Sequence, residues 1–456
     1  MTFSALDSQL LGPLFASDAM RDVFSDEARV AAMVTAEAAL ARAQARFGLV
    51  PDGLADAIAA VGARDLDPAA LGAATAVVGV PVIPFLKALQ SRLPADLEPH
   101  VHKGATTQDI ADTALVIQLR AGLRLIAHEL GRVLLGLERL AGRHRATPCA
   151  GRTYGQHAAP VTFGFKAAVW ATGIADVAAR LPGLVERSLV PSLGGPVGTF
   201  AAMGGHGPAV LDAFAAELGF RAPPLAWHTR RAALSEIGTW VAMLLGALGK
   251  FAGDVAHLAT TEVGEVAEPA MPGRGGSSAM PHKRNPVGAT LILSAGMAAK
   301  GHVVTLLDAM VAAHERPAGA WHAEWHALPS LFGLASGALR EAALLAEGLV
   351  VDAERMSANL QITRGLLFAD AVAGRLAGVL GREAAHAAVE RAAQRVRGGT
   401  PSLEAALRDD AALAALPPDL LDTSGDLEGA VEAASLWVDR ALPTCARARA
   451  ELAALA

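Results

Sequence analysis

Gln108 to His144 reads QDIADTALVIQLRAGLRLIAHELGRVLLGLERLAGRH and contains no proline. Ile110, Ala114, Ile117, Ala121, Leu125, Leu130, Leu134 and Leu137 recur at helical spacing. A second set, Leu115, Leu119, Leu123, Val133 and Leu140, covers another face. At 1.5 Å per residue the spacing predicts a helix roughly 55 Å long. A helix apolar nearly all round must be buried among several others. Outward from it, Phe24–Phe47 reads as a helix stopped by Gly48 and Pro51. Further helical stretches are expected at Pro160–Leu181, Pro208–Leu218, Ala232–Thr261, Pro286–Ala313 and Pro329–Val350. The first hundred residues alternate short helical patterns with Gly and Pro breakers. The last hundred hold shorter helices broken at Gly365, Gly381, Gly398-Gly399 and Pro417-Pro418. No strand–helix alternation argues for a doubly wound sheet. The expected fold is all-α: an N-terminal helical unit over 1–105, a long-helix bundle over 106–350 and a C-terminal helical unit over 351–456.

Composition agrees. The chain has 456 residues, 52% of them apolar but only 4% aromatic, so Ala, Leu and Val carry the apolar mass. That content excludes disorder, and small side chains let helix backbones approach closely. Thirty-nine basic against 45 acidic residues leave a formal charge of −6, with no basic footprint for nucleic acid. Cys149 and Cys445 are too few for a disulfide scaffold and stand in no metal-ligand spacing, which fits a reducing compartment. Met1–Gln9 lacks a basic leader segment. Lys300, His302 and Asp308 interrupt the apolar window Leu291–Met310, and Lys250 interrupts Trp240–Ala252, so no membrane span is expected. A cytoplasmic location is the expectation.

Four segments carry chemistry. Gly275–Pro286, GGSSAMPHKRNP, places two hydroxyls after a loose Gly-Gly pair and then two cations. Asn285 suits an N-cap and Pro286 a first helical residue, so this helix start beside Lys283 and Arg284 reads as an anion site, or as a solvated capping loop. In Val101–Asp109, VHKGATTQD, Thr106 stands at an N-cap with Asp109 three residues on. The Thr106 and Thr107 hydroxyls would grip a carboxylate or simply cap the helix; His102 alone reads equally as a core or surface histidine. In Gly151–Pro160, GRTYGQHAAP, His157 lies at an expected helix entrance. In His314–Pro329, HERPAGAWHAEWHALP, Arg316 could bind a carboxylate bidentately or pair with Glu315 or Glu324. Trp321 and Trp325 read as packing residues. His322 and His326 lack a third ligand, so no metal is expected.

The Gly276–Pro286 run resembles the signature of the fumarase/aspartase superfamily, and the first two other segments resemble its remaining motifs, in order. The resemblance covers most of the chain. It implies a homotetramer whose helices share one bundle, with each active site built from three subunits. By the same resemblance Ser277 is the proton-handling residue and His157 a second catalytic one. Lys283, Asn285, Thr106, Thr107, Arg316, His102, Tyr154, Gln156, Ser278 and Met280 would bind substrate. No cofactor, nucleic acid or membrane partner is implied, only a small polycarboxylate. Two departures matter. Tyr154 stands where most lyases of the superfamily carry a second histidine. Thr290, seven residues after Lys283, stands where they carry the glutamate that pairs with the catalytic histidine. That pair helps a poor leaving group depart by protonation; an enzyme expelling a carboxylate does without it. The Trp-x-x-Glu-Trp run at 321–325 resembles the bacterial carboxymuconate cycloisomerases of protocatechuate (β-ketoadipate) breakdown. The expected activity is therefore intramolecular lactonization of 3-carboxy-cis,cis-muconate, the alternative being adenylosuccinate lyase or a related fumarate-releasing lyase.

Overall fold

Ser25 takes the Ala28 N–H on its hydroxyl and opens helix α1, Asp26–Ala45. The long stretch quoted above is one unbroken helix, α2, Thr107–Arg143, with the Asp109 carboxylate accepting the N–H of its N-cap Thr106 at 2.9 Å. This computed structural model describes residues 3–276 and 279–456. After α2 come strands β1, Pro148–Thr153, and β2, Gln156–Thr162, then α3, Phe163–Ala178, and α4, Gly207–Glu217. The bundle continues with α5, Ala232–Leu258, α6, Val287–Ala309, and α7, Ala320–Gly348. The rest is α8, Ala353–Leu360, α9, Ala369–Leu380, α10, Arg382–Arg397, and α11, Asp426–Ala453.

The largest core joins α2, α3, α5, α6 and α7, and α11 returns to it through Val438, Cys445, Ala448 and Leu452. A second core packs α1 against Val82, Phe85, Leu89 and the 193–218 segment. A third holds α9, α10 and the residues to Leu421. Small residues do close the helices together: a Cβ on Gly136 of α2 would lie 2.8 Å from the Ala346 Cβ of α7. Both cysteines are buried and free, and burial pushes the Cys149 thiol up to about 12.

Three expectations need correction. The helix predicted from Pro160 begins at Phe163, and His157 lies on a strand, not at a helix entrance. Strands β1 and β2 pair antiparallel, with Arg152 opposite His157, around a turn whose Tyr154 and Gly155 both have positive φ (50° and 78°). The β-branched Val161 and Thr162 suit the second strand, and the Thr162 hydroxyl then caps α3. The helix predicted from Pro329 begins nine residues earlier, at Ala320, with Pro329 inside it; contacts of Trp321 and Glu324, given below, hold its first turns. Finally, Phe163–Ser188, Ala232–Leu258 and Val287–Ala309 are each long and apolar enough to cross a membrane, by length and composition alone. Scattered charges do not lower their mean hydropathy enough. In the last of these only 22% of the apolar window is buried, and Met297, Val304 and Leu307 of α6 face outward.

Candidate active site

The bundle helices set the expected site residues at its two ends. Thr106 precedes α2, while His157 lies in the hairpin beyond its other end, about 55 Å of helix away. Asn285 precedes α6 and Arg316 follows it, with 23 helical residues or about 35 Å between. One end therefore carries His102, Thr106, Thr107 and Arg316. The other carries Tyr154, Gln156, His157, Met280, Lys283 and Asn285. Within one chain the structure does not bring these two sets together. Ser277 and Ser278 lie outside the described residues.

At the first end Arg316 makes no pair with Glu315 or Glu324. Its Nε donates to the Gln108 side-chain amide oxygen Oε1 at 3.0 Å, and its Nη2 to the Thr106 hydroxyl at 3.0 Å and the Pro196 backbone carbonyl at 3.3 Å. All three acceptors are neutral, and among the described residues no carboxylate lies within ion-pair distance. An exposed guanidinium held in place but left uncompensated is suited to an anionic ligand. Gln108 is fully buried, and its amide NH2 donates to the Asp112 carboxylate at 3.2 Å and the His228 carbonyl at 2.9 Å. These two acceptors fix which way the amide points and leave its oxygen for Arg316.

Beneath lies a buried charge cluster. Arg231 bonds Asp112 through both terminal nitrogens, at 2.6 and 3.1 Å, and holds Glu324 through Nε at 2.9 Å and through Nη2. Trp321 donates its indole N–H to Asp112 at 2.9 Å, and the Trp227 ring stacks 4.8 Å from the guanidinium. Burial raises the Glu324 carboxyl above its ordinary range, against the pull of Arg231. Asp109 accepts from Thr106 and Gly195 N–H groups at 2.9 Å each and lies 2.6 Å from His228 Nε2. So the Trp-x-x-Glu-Trp run and the Trp227-His228 step form a platform under Arg316 and Thr106. His102 sits half-buried at this end with Nδ1 2.6 Å from Glu37.

At the second end, a cavity of about 250 Å³ is lined by Glu268, Arg274, Gly276, Lys283, Asn285 and Pro286, among others. The expected anion site at the start of this helix is already filled. Pro286, not Asn285, is the N-cap residue, and the Glu268 carboxylate accepts the Gly288 and Ala289 N–H groups at 3.0 and 2.9 Å. A carboxylate on free N–H groups at a helix start is the favourable arrangement for an internal acid as for a ligand. Lys283, Asn285 and Met280 remain exposed, and Lys283 and Arg284 have no ion pair among the described residues.

The hairpin carries the rest of this end. Tyr154 is fully exposed at its tip, and Gln156 is exposed beside it. Arg152 forms a two-pronged pair with the buried Glu265 at 2.6 and 3.0 Å, and Asn359 of α8 donates to the same carboxylate. Among the described residues His157 is bonded to no acid, and its buried Nδ1 has no hydrogen-bond partner there. Burial first, then the charges of Arg152 and Lys166, hold its imidazole below the ordinary value, against the opposing pull of Glu265. Thr290 turns its hydroxyl back to the Pro286 carbonyl at 2.7 Å.

Sequence reasoning missed Glu37, Gln108, Glu265 and Glu268. Glu37 had one signal, an acid alone among Ala36, Ala38 and Ala39; the others are defined by partners distant in sequence.

A family model described as Lyase matches residues 15–301. The 3-carboxy-cis,cis-muconate cycloisomerase of Pseudomonas aeruginosa is 46% identical over 95% of this chain and 96% of its own length. The nitrosuccinate lyase of Streptomyces davaonensis is 43% identical over 96% of this chain and 97% of its own. The crystal structure of 3-carboxy-cis,cis-muconate lactonizing enzyme from Pseudomonas putida matches with a TM-score of 0.91 at 43% identity, covering 97% of this chain and all of that one. The all-α bundle, the three ordered motifs and these matches agree, and the chain belongs to this lyase family, the fumarase/aspartase superfamily.

Proposed function

We propose that this protein is a cycloisomerase converting 3-carboxy-cis,cis-muconate to 4-carboxymuconolactone, in protocatechuate breakdown. One observation carries the reading: among the described residues His157 has no acid partner, and Thr290, where a glutamate would pair with it, is bonded to its own helix. The histidine–glutamate pair that protonates a poor leaving group is thus not formed among the described residues. One substrate carboxylate adds to the β-carbon of a double bond activated by another carboxylate. The alkene electron pair moves into the activating group as an aci-carboxylate, and a proton delivered to the α-carbon completes the lactone. Fixed cations and donors stabilise such an intermediate; Lys283, Asn285, Thr106, Thr107 and Arg316 fill that role. Ser277 delivers the proton, and His157, kept neutral, orients the attacking carboxylate. Tyr154, Gln156, Ser278, Met280 and His102 complete the binding surface. No cofactor takes part.

The chain acts as a cytoplasmic homotetramer, divided into cap (1–105), bundle (106–350) and tail (351–456). Two observations support shared sites: the separation of the two residue sets by whole helices, and the outward apolar face of α6. The bland reading of Arg316 as a surface ion-pair residue loses its support, since its acceptors are neutral.

A second reading, a lyase acting on a substituted succinate, is favoured by the 43% identity to a nitrosuccinate lyase. Nitrite, like carboxylate, departs as a stable anion, so the missing glutamate is compatible with both. Ser277→Ala tests the shared mechanism: turnover should fall by about 10²- to 10⁴-fold with the fold intact. Near wild-type turnover would remove Ser277 from the chemistry.

A further inference from the structure

Glu37 belongs to the alanine-rich face of α1, and its side chain is only 1% exposed. Its Oε1 lies 2.6 Å from His102 Nδ1, while its Oε2 is buried with no hydrogen-bond partner among the described residues. A carboxylate half-satisfied in a core costs stability, and apolar residues of similar size would avoid that cost. His102 is itself held at φ 61°, an uncommon backbone region for a residue other than glycine. Strain of this kind gathers where the direction of a side chain matters. The neighbouring backbone is pinned as well: Gln44 of α1 donates to the Lys103 carbonyl at 2.6 Å, and Lys103 Nζ to the Leu49 carbonyl at 2.7 Å. The ring is thus fixed on its Nδ1 side, and Nε2 makes no hydrogen bond among the described residues.

We propose that Glu37 is a positioning residue: through Nδ1 it sets the His102 ring and makes Nε2–H a directed, charged donor for a substrate carboxylate at the Thr106 end of the bundle. The proposal rests on the functional reading above for its substrate. The charged groups facing His102 are Glu37 from α1 and Asp109 from α2. Burial alone would lower the imidazole, but the charge and hydrogen bond of Glu37, with Asp109 behind, outweigh it and raise the group above its ordinary value. The end of the site built from His102, Thr106 and Arg316 then presents two charged donors, the His102 imidazolium and the Arg316 guanidinium, with Glu37 and Asp109 behind the first. The histidine–carboxylate pair absent at position 290 has a counterpart here, at the opposite end of the bundle, serving charge placement.

The test compares wild type with Glu37→Gln, which keeps shape and removes charge. Proton NMR titration, with His102 assigned by its loss in His102→Gln, should show the His102 midpoint falling by about one pH unit in Glu37→Gln. With carboxymuconate, KM at pH 7.5 should rise about tenfold, the worth of one charge-assisted hydrogen bond. kcat should stay within about twofold, and the KM difference should shrink at pH 6, where the variant imidazole regains its proton. A merely structural Glu37 would lower stability and still let the midpoint fall, but would leave KM and its pH profile unchanged; an unchanged KM, or an unmoved midpoint, overturns the proposal. Should Glu37→Gln not fold, the wild-type titration decides: a His102 midpoint at or below the ordinary imidazole value overturns it. Wild-type protein that leaves carboxymuconate intact refutes the functional reading instead, and the titration still judges Glu37.

Discussion

Replacing Gln108 with leucine removes three hydrogen bonds from a fully buried position and changes the side-chain volume little. The effects separate. Asp112 keeps Arg231 and Trp321, but the His228 carbonyl loses its side-chain donor, a cost of about 1–3 kcal/mol that appears as a lower unfolding midpoint. Arg316 keeps the Thr106 hydroxyl and the Pro196 carbonyl but loses its Nε anchor. Re-immobilising one long side chain on binding costs about 0.5–1.5 kcal/mol, or roughly two- to twelvefold in KM. Gln108→Glu tests the charge argument. It retains an acceptor for Arg316 but pairs the guanidinium with a carboxylate and sets a second acid against Asp112, so it should both destabilise and raise KM. Steady-state kinetics and thermal unfolding on both variants, with Arg316→Ala beside them, are the assay. If Gln108→Leu leaves KM unchanged while Arg316→Ala raises it, Gln108 does not position Arg316 for substrate. If Gln108→Glu leaves KM unchanged, the uncompensated charge of Arg316 is not what binds substrate.

Arg231→Met leaves Asp112 and Glu324 buried without their cation and should destabilise by about 3–5 kcal/mol in chemical denaturation; a loss under about 1 kcal/mol would show that the cluster adds nothing net. His157, depressed by burial and by Arg152, should titrate below the ordinary imidazole value, and Lys166→Ala should move its midpoint up. Because the unfolded chain takes that proton at higher pH than the folded one, this group costs stability as pH falls below the ordinary value; an NMR midpoint at or above that value contradicts the assignment. At a substrate concentration where Ser277→Ala and Arg316→Ala chains are each strongly impaired alone, mixing them should restore part of the activity after subunit exchange, since one assembled site can then receive both native residues. No recovery despite demonstrated exchange would mean that one chain supplies both.

The long helices were legible because their cause is local: proline-free runs of alanine and leucine with clear stops predict α1, α2 and α5 to within a few residues. What sequence missed depends on contacts made at a distance. The β1–β2 hairpin hides among Gly151, Gly155 and Pro160, and its stability comes from pairing across the turn. Helix α7 passes through Pro329 because Trp321 and Glu324, at its start, are tied to Asp112 and Arg231 on other segments. The anion position at the start of α6 looked open in sequence, yet an acid twenty residues upstream fills it. The separation of the candidate site into two ends follows from helix length alone, and in that sense it was present in the first stretch read.

The most direct test of the central claim is to add purified protein to 3-carboxy-cis,cis-muconate and follow ultraviolet absorbance. The account predicts loss of the conjugated diene and formation of 4-carboxymuconolactone, with no fumarate released from adenylosuccinate or nitrosuccinate under the same conditions. An unchanged diene spectrum together with fumarate release from either succinate would contradict it.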